Sequence, residues 1–122
     1  MTKNILVIDD FNLSNEIVST TLMAVGYQTF ACQNGLAAIK YLKEIQMDLV
    51  ITDYNMPKMN GIEFLKQIRQ MPEYKTLPIV FLSSIKDPEI IKSAKNYSIS
   101  AWLSKPLEVN ELKNVISNIF NK

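Results

Sequence analysis

Histidine is missing from all 122 residues. Its absence removes Ser-His and Cys-His hydrolase chemistry, histidine zinc sites and histidine general bases together. Any reaction here falls to carboxylates, hydroxyls, a lysine and a hard cation, and a histidine phosphoryl donor would belong to another protein. The single cysteine, Cys32, excludes an internal disulfide and fits a reducing cytosol. Neither sign of charge dominates, with 13 basic residues against 12 acidic ones. No basic run suggests nucleic acid or anionic lipid as a direct partner. Met1-Thr2-Lys3-Asn4 leads straight into a strand-like run, with no secretory segment and no apolar stretch long enough to cross a bilayer. A cytoplasmic protein without membrane insertion is expected.

What is present has the balance of a globular domain, 48% hydrophobic and 20% charged. Residues 1–122 read as one domain, without linker or repeat. Five short apolar runs are strand candidates: Asn4–Ile8, Gln28–Cys32, Leu49–Asp53, Ile79–Ser83 and Ala101–Leu103. Amphipathic segments fit between them. Leu13, Ile17, Thr21 and Val25 recur at spacing four before Gly26, a helix stop. Ala38, Ile39 and Leu42 mark the second helix. The third begins at Asn60 with Glu63 as its capping-box partner, and Leu65 and Ile68 lie on its inner face. Asp87-Pro88 caps and opens a fourth, running to about Tyr97. Leu112, Val115, Ile116 and Ile119 line the fifth.

Strand–helix alternation of this kind predicts an α/β fold, a parallel sheet with helices on both faces. The first, third and fourth runs are nearly continuous in apolar residues, whereas the second and fifth are mixed, as edges are. Edges at 2 and 5 give the doubly wound, flavodoxin-like order 2-1-3-4-5 with five helices. In such sheets the site lies beyond the carboxyl ends of the strands. Asp9-Asp10, Asp53, Ser83-Ser84 and Lys105 all fall there. Strands about 4.8 Å apart set Asp53 between the acidic pair and Ser83, with Lys105 two strands away.

Three carboxylates and one ammonium carry a local charge of −3 + 1 = −2, which either raises a carboxyl pKa or recruits a cation. All-oxygen donors select a hard ion, and a site with few protein ligands plus phosphate suits Mg²⁺. Asp53 is then a candidate nucleophile toward phosphorus, with Lys105, the Ser83 hydroxyl and backbone N–H groups to neutralise charge.

These features, together with the string Asp53-Tyr54-Asn55-Met56-Pro57-Lys58-Met59-Asn60-Gly61-Ile62-Glu63 and the pair Lys105-Pro106, resemble a response-regulator receiver domain of the single-domain, chemotaxis type. The likeness extends from Lys3 to Phe120. It implies Asp53 as phosphoacceptor, with the phosphoryl taken from a sensor histidine kinase or histidine phosphotransfer protein. It implies Asp10 and Asp53 as direct Mg²⁺ ligands, Asn55 through its main-chain carbonyl, and Asp9 mainly through water. Ser83 and Lys105 would hold the phosphoryl oxygens, while small Ser84 leaves the acceptor accessible and offers its N–H. Ser83 and Trp102 occupy the switch positions that remodel the face made by helix 4, strand 5 and helix 5. Such a domain is not an enzyme toward other substrates; it catalyses only its own phosphorylation and dephosphorylation. It acts by binding a downstream target or passing the phosphoryl on.

Some residues depart from the family pattern. Trp102 stands where tyrosine or phenylalanine is usual, and its ring is larger. Phe11 follows the acidic pair where a polar residue is common, and an exposed ring there would meet the donor. Ser98 stands near a usual glycine. Ile85 cannot orient a water by hydrogen bonding, so a long-lived phosphoaspartate is expected. Two other functions fit less well. An aspartyl-nucleophile phosphatase would carry its two acids on alternate residues after strand 1, where this chain reads Asp9-Asp10-Phe11. A nucleotide or flavin binder would need a phosphate cradle, whereas the first strand–helix loop has no glycine and two negative charges.

Overall fold

In the computed structural model, which describes residues 2–121, strands and helices alternate along the chain. The order is β1 (Asn4–Ile8), α1 (Asn12–Ala24), β2 (Gln28–Cys32), α2 (Gly35–Glu44), β3 (Leu49–Thr52), α3 (Gly61–Arg69), a short 3-10 turn (Pro72–Tyr74), β4 (Ile79–Ser83), α4 (Pro88–Lys95), β5 (Ala101–Ser104) and α5 (Val109–Phe120). All five strands are parallel, in the order β2-β1-β3-β4-β5. β3 and β4 are buried throughout and β1 in all but its first residue, whereas β2 and β5 are partly open. The edge assignment from composition therefore holds.

Side chains of successive strand residues point to opposite faces, which splits the core in two. Leu6, Ile8, Val50, Ile79 and Phe81 pack with Ala38, Leu42, Phe64, Leu65, Ile68 and Ala94 from α2, α3 and α4. Ile5, Val7, Leu49, Ile51, Val80 and Leu82 pack with Val18 and Leu22 from α1 and Leu112 and Ile116 from α5. Helix starts follow their caps. The Asn60 side chain accepts from Glu63 N–H and Glu63 accepts from Asn60 N–H, each at 2.9 Å, the expected capping box. Asp87 accepts from Glu89 N–H at 2.9 Å, with Pro88 at the first helical position.

β5 runs one residue beyond the expected Leu103, to Ser104, and three other elements also differ from expectation. β3 stops at Thr52, because the Asp53 carboxylate takes the next N–H, that of Tyr54, and turns the chain out of the sheet. α4 stops at Lys95 rather than near Tyr97, and Ser98 follows with a left-handed φ of 62°. The largest correction concerns α1. Leu13, Ile17 and Val25 face solvent, at 54%, 43% and 47% exposure. Its inward side is Asn15, Val18 and Leu22. Two stripes repeat at helical spacing there, and periodicity does not say which one is covered. Gly26 does end the helix, with φ of 101° that a side chain would oppose.

Candidate functional site

The carboxyl ends of β1, β3 and β5 converge on one small region. Asp53 and Asp9 are almost buried, at 8% and 4% exposure, while Asp10 is open to solvent. One carboxylate oxygen from each of the three lies within 4.8 Å of the others. The Asp9 carboxylate accepts from Phe11 N–H at 3.0 Å, and that of Asp53 from Tyr54 N–H at 2.6 Å. Their remaining oxygens share one cation, with Lys105 Nζ 2.8 Å from Asp9 Oδ2 and 2.9 Å from Asp53 Oδ2. Lys105 thus closes the gap across two strands and reaches β1 as well. Burial opposes its charge, but the hydrogen bonds to Asp9 and Asp53 and their charges outweigh that, so its pKa lies above the usual 10.5. The Lys105–Pro106 peptide is cis.

The site opens as a cleft of about 500 Å³ lined by Asp9, Asp10, Phe11, Asp53, Asn55 and Ser84 among others. Phe11 is 59% exposed at its rim. Ser83 is not in the opening. It is buried, and its Oγ accepts from Ile85 N–H at 3.2 Å. Trp102, opposite Phe81 in the β4–β5 register, stacks on that ring at 4.7 Å between centroids and 7° between planes. Its indole N–H is buried without an acceptor. Cys32 is buried, and burial pushes its thiol up to about 11, the hydrogen bond to Asn34 opposing only in part.

Two contributors escaped sequence reading. Gly61 presses on the acceptor loop, and a Cβ there would sit 2.7 Å from the Asp53 carbonyl oxygen and 2.6 Å from Phe81. Asn15 is buried under the β1–α1 loop, its amide donating to the Asp9 and Cys32 carbonyls at 2.6 and 3.0 Å. Reading α1 as the stripe 15, 18, 22 would have exposed it as the one polar member.

A cluster of three carboxylates with only oxygen donors fits a hard divalent ion. The family model for the response regulator receiver domain matches residues 5–117. The chain belongs to the response-regulator receiver family. Chemotaxis protein CheY-3 of Vibrio cholerae is 35% identical over 119 residues, covering 97% of this chain and 92% of that protein. The structure of chemotaxis response regulator CheY4 of the same organism superposes with a TM-score of 0.91 at 30% identity, covering 98% and 99% of the two chains. A CheY-like receiver domain from Methylobacillus flagellatus gives 0.87 at 25% identity, covering 98% and 99%. The receiver is thus a module of two-component signalling built on the same five-stranded sheet. Among the described residues, no helix is long and apolar enough to cross a membrane.

Proposed function

We propose that this receiver, acting as one domain over residues 1–122, accepts a phosphoryl group on Asp53 from a phosphohistidine of a sensor kinase or histidine phosphotransfer protein. The observation that supports it is the meeting of Asp53 with Asp9, Asp10 and Lys105 at one open cleft. In the transfer, the donor's P–N bond breaks as a P–O bond forms to an Asp53 carboxylate oxygen. The leaving imidazole keeps the electron pair and is reprotonated from solvent. Asp10 and Asp53, the Asn55 main-chain carbonyl and, through water, Asp9 would hold Mg²⁺. When bound, the ion supplies neutralisation of phosphoryl charge. Lys105 balances the two buried carboxylates and offers the same ammonium to the incoming phosphoryl oxygens. Ser84, small and at the mouth, leaves room for the donor and presents its N–H.

The response begins at Ser83. Its hydroxyl turns to a phosphoryl oxygen and gives up the bond from Ile85 N–H, which loosens the β4–α4 loop. Trp102 lies next to that change with an unpaired indole N–H, a cost of about 1–3 kcal/mol in the stacked position. Rearrangement of the α4–β5–α5 face then alters binding of a downstream protein, or the phosphoryl passes on. The domain acts on no other substrate. Phe11 and Lys105 line both the acid cleft and an adjoining apolar groove bounded by Leu13, Ile17 and Leu107. That continuity supports the exposed side of α1 as the docking surface for the donor.

Intact-mass measurement after incubation with Mg²⁺ and acetyl phosphate tests the transfer. Wild type gains one phosphoryl mass and Asp53→Ala gains none; equal gain in both proteins would remove Asp53 from the mechanism.

A further inference from the structure

We propose that Asn15 is a positioning residue for the acidic cluster: by fixing the Asp9–Asp10 peptide from beneath, it sets the affinity of the site for a divalent cation. The inference rests on the reading of Asp9, Asp10 and Asp53 as an ion-binding set. Asn15 lies on the inward face of α1 beside Val18 and Leu22, at 7% exposure, where the other covered residues are apolar. Its Nδ2 donates to the Asp9 carbonyl at 2.6 Å and to the Cys32 carbonyl at 3.0 Å. One amide thereby links α1 to the carboxyl ends of β1 and β2. The opposite orientation of the amide would set its oxygen against two carbonyl oxygens, so the donors must face them.

Two features separate this role from ordinary packing. The Asn15 Oδ1 is buried with no partner, so the side chain is held here at a penalty that leucine of similar size would avoid. The acids it serves are also unequal. Asp9 is held by Phe11 N–H and by Lys105. Asp10 is solvent-exposed, and among the described residues no side-chain hydrogen bond or ion pair holds its carboxylate. Its place within 4.8 Å of Asp9 and Asp53 depends on the backbone that carries it. The carbonyl of Asp9 belongs to the peptide that leads into Asp10. A rotation of that peptide swings Asp10 away from the other two carboxylates, and the Asn15 amide resists it from beneath, alongside the Phe11 N–H bond to the Asp9 carboxylate that spans Asp10.

The test compares wild type, Asn15→Leu, Asn15→Ala and Ser19→Ala. Ser19 is one turn further along α1 and also carries a buried hydroxyl without a partner, so it makes no side-chain hydrogen bond to the β1–α1 loop. Mg²⁺ affinity is measured by calorimetry, and melting temperature without the ion gives folding separately. Backbone amide shifts of Asp10 and Phe11 in metal-free protein report the loop directly. Both Asn15 variants are expected to lose on the order of tenfold in Mg²⁺ affinity, with moved Asp10 and Phe11 signals. Ser19→Ala is expected to keep the wild-type affinity and loop signals. Unchanged affinity in a folded Asn15→Leu or Asn15→Ala protein overturns the assignment while leaving the ion site intact. An equal loss in Ser19→Ala overturns it too, since the effect would then come from α1 packing. Wild type that binds no Mg²⁺ overturns this assignment together with the reading beneath it.

Discussion

Asp53 has two unlike neighbourhoods. Toward β1, each buried acid is held by a backbone N–H and by Lys105, and the loop below is tied down by Asn15. Toward β4 and β5, Ser83 accepts one long bond of 3.2 Å from Ile85 N–H, and Trp102 stacks with an unpaired indole N–H. The first side is over-determined, as a site that must hold reacting groups in place should be. The second is weakly determined, which leaves it free to change when a new acceptor arrives at the cleft. Under the proposed function, chemistry and response divide across a single strand, β3.

The largest expected effect comes from attacking the fixed side. Lys105→Met leaves Asp9 and Asp53 without their shared cation and should slow acetyl phosphate labelling by about a hundredfold, followed by intact mass over time. The pH dependence has a definite sign. Because the folded pKa of Lys105 is raised, its stabilisation is fully present below 10.5 and fades as pH rises through the folded value. Denaturation curves of wild type and Lys105→Met should therefore keep a constant separation from neutral pH up to about 10.5 and converge above it.

Gly61 sits at the joint between the two sides, where a Cβ would meet both Phe81 and the Asp53 carbonyl. Gly61→Ala should destabilise by about 1–3 kcal/mol in urea unfolding and also slow labelling, because the clash falls on backbone that cannot step aside. Loss of stability with unchanged labelling would mean that the acceptor loop tolerates the displacement.

On the responsive side the effects are smaller. Ile85 offers no hydrogen bond to water from its side chain, and Ile85→Glu should shorten the phosphoaspartate lifetime by about tenfold, read from decay of the labelled mass. A lifetime that the substitution leaves unchanged removes the basis for a long-lived phosphoaspartate. Ser98 occupies φ 62° before β5, where glycine meets no side-chain strain. Ser98→Gly should stabilise by about 0.5–1 kcal/mol, the relief of left-handed strain exceeding the added chain entropy. A fall in melting temperature would show that the hydroxyl side chain contributes more than its backbone costs.

The sheet was legible because apolar continuity in β1, β3 and β4 against mixed β2 and β5 reflects burial directly. The acids and Lys105 were legible because strand ends are recognisable, so charged residues there read as a set. What stayed hidden lies in three dimensions. Helical periodicity found a stripe on α1, but Leu13 and Ile17 face out while Asn15 faces in. No pattern revealed that a Cβ at Gly61 would meet the Asp53 carbonyl, or that the Trp102 indole lies flat on Phe81. Ser83 stands at the expected strand end, yet it is buried with its hydroxyl bonded by Ile85 N–H, since rotamer choice is not written in sequence.

The central claim is that the fixed side of the cleft places new covalent chemistry on one oxygen-bearing side chain. Borohydride trapping of the labelled protein, followed by peptide mapping, locates that bond. Reduction is expected at Asp53 alone and only with Mg²⁺ present; a label at Asp9, Asp10 or Ser83, or one formed equally well in chelator, would contradict Asp53 as the acceptor.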